Sequence, residues 1–286
     1  MTPLEWLLSH TATLLITCPD RKGLVARVSG LLYAHGASII HADQHQDHEA
    51  GLFFMRVEWV LADFGLEGFQ AAFAPLAAEL EMDWRLEVST RVTRVALFVS
   101  KQLHCLTDLL YRHQAGELPC EIPVIISNHP HAGPLAAFHG IPFHHLTGSK
   151  AEMEQQQLRL LEDNKVDLVV LARYMQILSA DFVARHPYRV INVHHSFLPA
   201  FVGARPYHQA FERGVKLIGS TSHYVTEVLD DGPIIEQDVA RISHRDGVED
   251  LIEKGRDLER VVLSRAVKWH LQHRILRYGS KTVVFE

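Results

Sequence analysis

The chain has 286 residues, 47% of them hydrophobic and 22% charged, with a formal net charge of −6. Its length admits two domains, each with its own core, and the acidic balance argues against broad nucleic-acid or membrane-surface binding, which calls for a basic excess. No apolar run reaches the roughly 20 residues of a membrane span, the opening MTPLEWLLSHTATLLI has no basic start, and three scattered cysteines (Cys18, Cys105, Cys120) make neither a disulfide framework nor a zinc knuckle. A soluble protein of the reducing cytoplasm is expected.

Residues 1–92 read as one small domain. ATLLITC is strand-like and PDRKG is a turn. Leu24, Val25, Val28, Leu31 and Leu32 recur at helical spacing until His35 and Gly36 close the helix. ASIIHADQHQD and GLFFMRVEWV are β-rich runs separated by the turn-prone HEAG. Leu66, Phe69, Phe73, Leu76 and Leu80 give a second amphipathic helix, which Pro75 either kinks or begins, and DWRLEVS supplies a last strand. The order β-α-β-β-α-β is the ferredoxin-like, α+β arrangement.

Residues 93–286 follow a different pattern. Apolar strand runs occur at 94–100, 121–127, 166–172, 188–193 and 217–225, with helical stretches between them, notably 149–164. Continuous Val/Ile/Leu runs separated by helices predict a Rossmann-like α/β domain with a mainly parallel sheet covered on both faces. A long helix is expected to finish the chain. Asp246 with Glu249 would cap it, and Val248, Leu251, Ile252, Leu258, Val262, Ala266 and Trp269 would form its buried stripe. No Pro/Gly-rich linker marks the boundary near 90–94, so a tight junction is expected.

Ligands of a parallel α/β sheet bind outside the carboxyl ends of its strands. Three loops are expected at that edge, bringing Arg173, Asn192, His194, His195, Asp230 and Asp231. Asn192 and His194 are two residues apart, so they share one side of a strand. An amide donor beside an imidazole suits a carbonyl oxygen that becomes negative during attack. An Asp near the imidazole would orient it or position a water. No G-x-S-x-G elbow is present and no cysteine stands beside these groups, so the residues point to acyl transfer or hydrolysis without a covalent intermediate. The 20 histidines raise the question of a metal. Neither His41, His45 and His48 nor His129 and His131 match a helical metal motif, so no metal site is expected.

At these residues the sequence resembles a known family. N-x-H followed by S-F-L-P, with HYVTEVLDDG some thirty residues later, is similar to the folate-dependent formyltransferase superfamily over about residues 93–270. The resemblance implies that Asn192, His194 and Asp230 act on the formyl group of 10-formyltetrahydrofolate. It also implies that RYMQILS lines a pterin pocket, giving Arg173, Tyr174, Met175, Gln176, Ile177 and Leu178, with Val225, as substrate-binding candidates. PDRKGLVARVSGLLYAHGASI resembles the opening of an ACT domain, a module that binds amino acids between copies. An effector site at Asp20 and Gly23 would follow, for an amino acid such as glycine or methionine, in a homo-oligomer, dimer or tetramer.

ACT plus formyltransferase fold is the arrangement of the formyltetrahydrofolate deformylases, which HCLTDLL and GARPYHQAFERGVK also resemble. Hydrolysis to formate and tetrahydrofolate is implied, balancing one-carbon folate pools and supplying formate for purine synthesis, with folate as substrate and no cofactor. Transferases acting on a phosphorylated ribosyl amine have a Gly/Ser-rich loop after the first strand. Here VSKQLHCL (99–106) has no glycine, so close approach of backbone to phosphate is hindered and water remains the acceptor. A formyltransferase to an amine acceptor, or a non-catalytic amino-acid or folate sensor, are the other readings. Arg173 either meets the substrate's acidic tail or pairs with a local carboxylate. His195 is expected to point away from His194, in a packing role or in support of the site from behind, and Asp231 to be a turn residue.

Overall fold

A computed structural model describes residues 10–61, 64–199 and 206–286. Glu5 and the GAR of GARPYHQAFERGVK lie outside the described residues. The chain divides into two compact units. One holds the described residues up to Val92 with His273–Arg277 and Val283–Glu286, and the other holds Thr93–Gln272 with Tyr278–Thr282.

The first unit runs β1 (Thr11–Pro19), α1 (Leu24–Ala34), β2 (Ser38–Asp47), β3 (Leu52–Val60), α2 (Leu66–Glu79) and β4 (Asp83–Val88). The four strands pair in the order β2-β3-β1-β4, all antiparallel. Alternation sends Ala12, Leu14, Ile16 and Cys18 of β1 to one face, where they pack with Val28 and Leu32 of α1 and Phe69 and Phe73 of α2. Pro75 lies inside α2 without ending it. The opposite face is also covered, which is why β1 is buried on both sides. There Arg56 pairs with Glu58 at 2.8 Å and donates Nε to the His273 carbonyl, and Arg85 donates to that of Ile275.

The second unit begins with β5 (Thr93–Val99), α3 (His104–Gln114), β6 (Cys120–Ser127), a 3₁₀ turn at Pro130–Ala132, α4 (Gly133–Phe138) and β7 (Phe143–His145). It continues through α5 (Lys150–Asp163), β8 (Leu168–Ala172), α6 (Ala180–Arg185), β9 (Val190–His194), α7 (Pro206–Arg213), β10 (Leu217–Tyr224), β11 (Ile234–Arg241) and α8 (Val248–Leu271). Helix α5 starts at a capping box, Ser149 with Glu152, and α6 at Ser179, whose side chain accepts from Phe182 N. The seven strands lie in the order β11-β10-β9-β8-β5-β6-β7. Strands β5 to β9 are parallel neighbours, and the order reverses between β5 and β8.

Three sequence expectations need correction. Strand β10 is antiparallel to β9, because an apolar run carries no direction. The loop after β10 therefore leaves from the amino end of β9 and has to fold back to reach the site. The chain ends in a hairpin, β12 (Ile275–Tyr278) and β13 (Lys281–Val284), not in α8. Finally, the N-cap of α8 is Gly247, whose N–H is taken by Asp250, while Asp246 accepts from Ser243 N and pairs with Lys254. Asp250 is three residues into the helix from the cap, the reach a capping box needs. Within the expected stripe Leu251, Val262 and Ala266 are fully buried, but so is Glu259.

Candidate active site

Strand β9 ends at His194, which puts Asn192 and His194 on the same side of its last turn of pleat. His194 is 6% exposed. Its Nδ1 lies 3.3 Å from Asp230 Oδ2, and its Nε2 is buried with no hydrogen-bond partner among the described residues. A carboxylate only accepts, so Nδ1 carries the hydrogen and Nε2 offers its lone pair to the cavity.

Asp230 reaches this position by a tight return of the chain. Tyr224 N donates to Pro233 O, and a Cβ on Gly232 would fall 1.7 Å from the Tyr224 carbonyl oxygen, so only glycine allows the loop to close on itself. Asp230 itself has φ 57° and Arg173 has φ 62°, left-handed conformations that non-glycine residues rarely adopt and that concentrate at functional sites. The hydrogen bond to His194 holds the Asp230 carboxyl below its usual range, although burial opposes it.

His223 on β10 faces Asn192 in the strand register. Its Nδ1 meets the Tyr224 carbonyl at 2.9 Å, so Nδ1 is the donor and Nε2 accepts from Asn192 Nδ2 at 3.3 Å. One amide hydrogen of Asn192 is thereby tethered, and the other has no partner among the described residues. Burial pushes the His223 imidazole down from its ordinary value. His195 is pushed down to about 4, first by burial and then by the charges of Arg173 and His194. Both flanking imidazoles are therefore neutral at neutral pH.

These groups open onto a cavity of ≈ 470 Å³. Arg173, Tyr174, Met175, Gln176, Ile177 and Leu178 line it from the loop after β8, and Val225 and Asp230 from the loop after β10. The Tyr174 hydroxyl accepts from Gln157 Nε2 at 2.7 Å and donates to Gln176 Oε1 at 3.0 Å, which fixes the ring as a wall. Met175 and Ile177 are more than 60% exposed and present apolar surface to it. The structure thus brings together every catalytic and substrate-binding candidate of the second unit. Asp20 and Gly23 belong to the exposed loop between β1 and α1, where Asp20 accepts from Gln46 and Gly23 has φ 89°. Asp231 is exposed and apart from the cavity lining.

A family model described as formyl transferase matches residues 93–267, and one described as ACT domain matches residues 12–58. A formyltetrahydrofolate deformylase of Synechocystis sp. is 56% identical over 96% of this chain and 98% of its own. The chain belongs to the formyltetrahydrofolate deformylase family. The crystal structure of a deformylase from Pseudomonas syringae pv. tomato superposes with a TM-score of 0.93 at 49% identity, covering 97% of this chain and 95% of that one. A glycinamide ribonucleotide transformylase 1 from Symbiobacterium toebii shares the fold of the second unit, with a TM-score of 0.65 at 29% identity over 68% of this chain and 95% of its own.

Sequence reasoning about this deformylase-family chain missed His223 and Glu259 and misjudged the direction of His195. His223 sits inside a strand run and signals nothing by itself. His195 was expected to face away, but β9 ends at His194, so strand alternation no longer governs it. Its ring lies 5.0 Å from that of His194 and it lines the same cavity. Glu259 looks like a surface residue of a long helix, yet it is 1% exposed and bonds His104 Nε2 at 2.6 Å and Tyr207 OH at 2.9 Å. Arg173 Nε stands 3.4 Å from the same carboxylate, the second of its two expected partnerships. His104, Cys105 and Glu259 bring ligand-type atoms within 4.8 Å of one another. The guanidinium adjoins Glu259, and burial pushes the Cys105 thiol well up, so Glu259 is balanced here by a cationic side chain.

Proposed function

We propose that the chain hydrolyses 10-formyltetrahydrofolate to formate and tetrahydrofolate, with Asn192, His194 and Asp230 as its catalytic residues. The observation that carries this reading is the buried, unpartnered Nε2 of His194, tethered through Nδ1 to Asp230 and flanked by Asn192 at the mouth of an apolar-walled cavity. The relatives, formyltetrahydrofolate deformylases, supply the substrate.

In this mechanism the pterin lies against Tyr174–Leu178 and Val225, which places the formyl carbon beside His194. Water attacks that carbon. The free amide hydrogen of Asn192 donates to the oxygen as it becomes negative, an interaction whose removal typically costs about 10²–10³ in rate. As water attacks, His194 Nε2 takes one of its protons, and Asp230, held ionised, stabilises the imidazolium that forms and orients the ring and the water. Nε2 then delivers the proton to the leaving nitrogen, and the C–N bond breaks to release formate and tetrahydrofolate. The folate is substrate, and the reaction draws on no further cofactor.

The reading extends to the first unit. The ACT match supports an amino-acid effector, such as glycine or methionine, at Asp20 and Gly23, and a homo-oligomer formed through that module. The site of action in this account is the cytoplasm. Among the described residues no helix is long and apolar enough to cross a membrane.

Reaction in ¹⁸O-labelled water tests the chemistry. Labelled formate is the expected product, whereas unlabelled formyl groups carried onto an amine would make the protein a transferase.

A further inference from the structure

In an open α/β sheet the ligand crevice lies at the carboxyl ends of the strands where strand order reverses. Here that place is between β5 and β8, and side chains of the two following loops bond across it. Ser100, directly after β5, donates to Asn128 Oδ1 and accepts from Met175 N. Gln102 accepts from Arg173 Nη2 at 3.3 Å. His104, at the start of α3, holds Glu259, which also takes the Tyr207 hydroxyl and faces Arg173 Nε.

The fit is prepared from the helix side as well. A Cβ on Gly255, one turn before Glu259 on α8, would fall 2.0 Å from the Tyr207 hydroxyl oxygen. Apolar residues of similar volume commonly stabilise such a place as well as buried charges do, so stability alone is a weak reason for this cluster. The cavity is accordingly lined from β8, β9 and β10 and their loops, with nothing from the loop after β5. His195, its ring 6.2 Å from that of Tyr207 and 5.0 Å from that of His194, stands between the cluster and the reacting imidazole.

We propose that the buried cluster of His104, Glu259, Tyr207 and Arg173 sets acceptor specificity, occupying the half of the crevice in which an amine acceptor would lie and leaving water as the nucleophile. This rests on the hydrolase reading and deepens it. Opening the crevice would let an amine attack the formyl carbon. A new C–N bond forms to the amine, the bond to the folate nitrogen breaks, and the amine's proton passes to that nitrogen. The products are a formamide and tetrahydrofolate, with no oxidant or further reactant.

The test measures the ratio of formamide to formate when 10-formyltetrahydrofolate is turned over with excess glycinamide or hydroxylamine. His104→Gly raises that ratio about tenfold or more over the wild type, the scale on which small changes of pocket space discriminate. Added imidazole refills the gap and brings the ratio back down, a reversal that general loosening of the fold does not produce. Gln102→Gly, at an exposed position, opens the same crevice with the buried ion pair left in place and also raises the ratio. An unchanged ratio in either variant, once thermal melting shows it folded, overturns the proposal. Wild-type protein that releases no formate without an amine overturns the hydrolase reading itself, so the two failures are distinguishable.

Discussion

Nδ1 of His194 lies 3.3 Å from Oδ2 of Asp230, while the other nitrogen of the same ring is buried and has no partner among the described residues. A buried polar atom without a partner is destabilising by about 1–3 kcal/mol, and folded proteins retain few of them. Here the unmet atom points into the cavity where the substrate is proposed to bind. His195 and His223 are held neutral by burial, so His194 is the imidazole that Asp230 can support as a cation.

Replacing Asp230 by Asn keeps the shape of the loop but removes the charge that stabilises the imidazolium. A fall in kcat of about 10²–10⁴, the range of general acid–base catalysis, is expected, with KM little changed. Steady-state kinetics at saturating substrate check it. A loss confined to KM would make Asp230 a binding residue only.

Of the two partners expected for Arg173, the substrate's acidic tail or a local carboxylate, its guanidinium meets the second, Glu259. Glu259 keeps His104 and Tyr207 when the Arg173 charge is lost, so Arg173→Gln should destabilise the protein by about 1–3 kcal/mol. Urea unfolding measures this. Full stability with a raised KM would return Arg173 to the substrate.

Gly255→Ala separates packing from propensity. Alanine in a helix interior is favoured over glycine by about 0.8–1 kcal/mol, so an unconstrained site would be stabilised. Because the added carbon collides with Tyr207 and loosens the bond to Glu259, a lower melting temperature is expected. A higher one would show that the cluster tolerates displacement.

Burial of neutral His195 ties stability to pH. Its pKa is pushed from 6.5 to about 4, so the folded state binds fewer protons than the unfolded state between those values. Its contribution is complete above about pH 6.5 and is lost progressively as the pH falls toward 4, by roughly 3 kcal/mol. His195→Gln should flatten that part of the stability curve, as read by unfolding at a series of pH values.

The elements of the first unit were readable because its helices are amphipathic, with Val28 and Leu32 or Phe69 and Phe73 one turn apart, and its strands are bounded by turn residues. The N-x-H and DDG stretches marked residues that the structure brings to one cavity. Direction was hidden: nothing in LIGSTSHYV distinguishes a parallel strand from the antiparallel β10. Glu259 was hidden because a charged residue on a helix reads as solvent-facing, and only its three distant partners make burial tolerable. The hairpin after α8 was missed because its strands are four residues each, too short to show a period.

The most direct measurement follows formate and tetrahydrofolate together from purified protein given 10-formyltetrahydrofolate and no acceptor, beside His194→Ala. Equal release of both products by the wild type, and a rate lower by about 10²–10⁴ in the variant, is the predicted result. Near-full hydrolysis by His194→Ala would contradict the account.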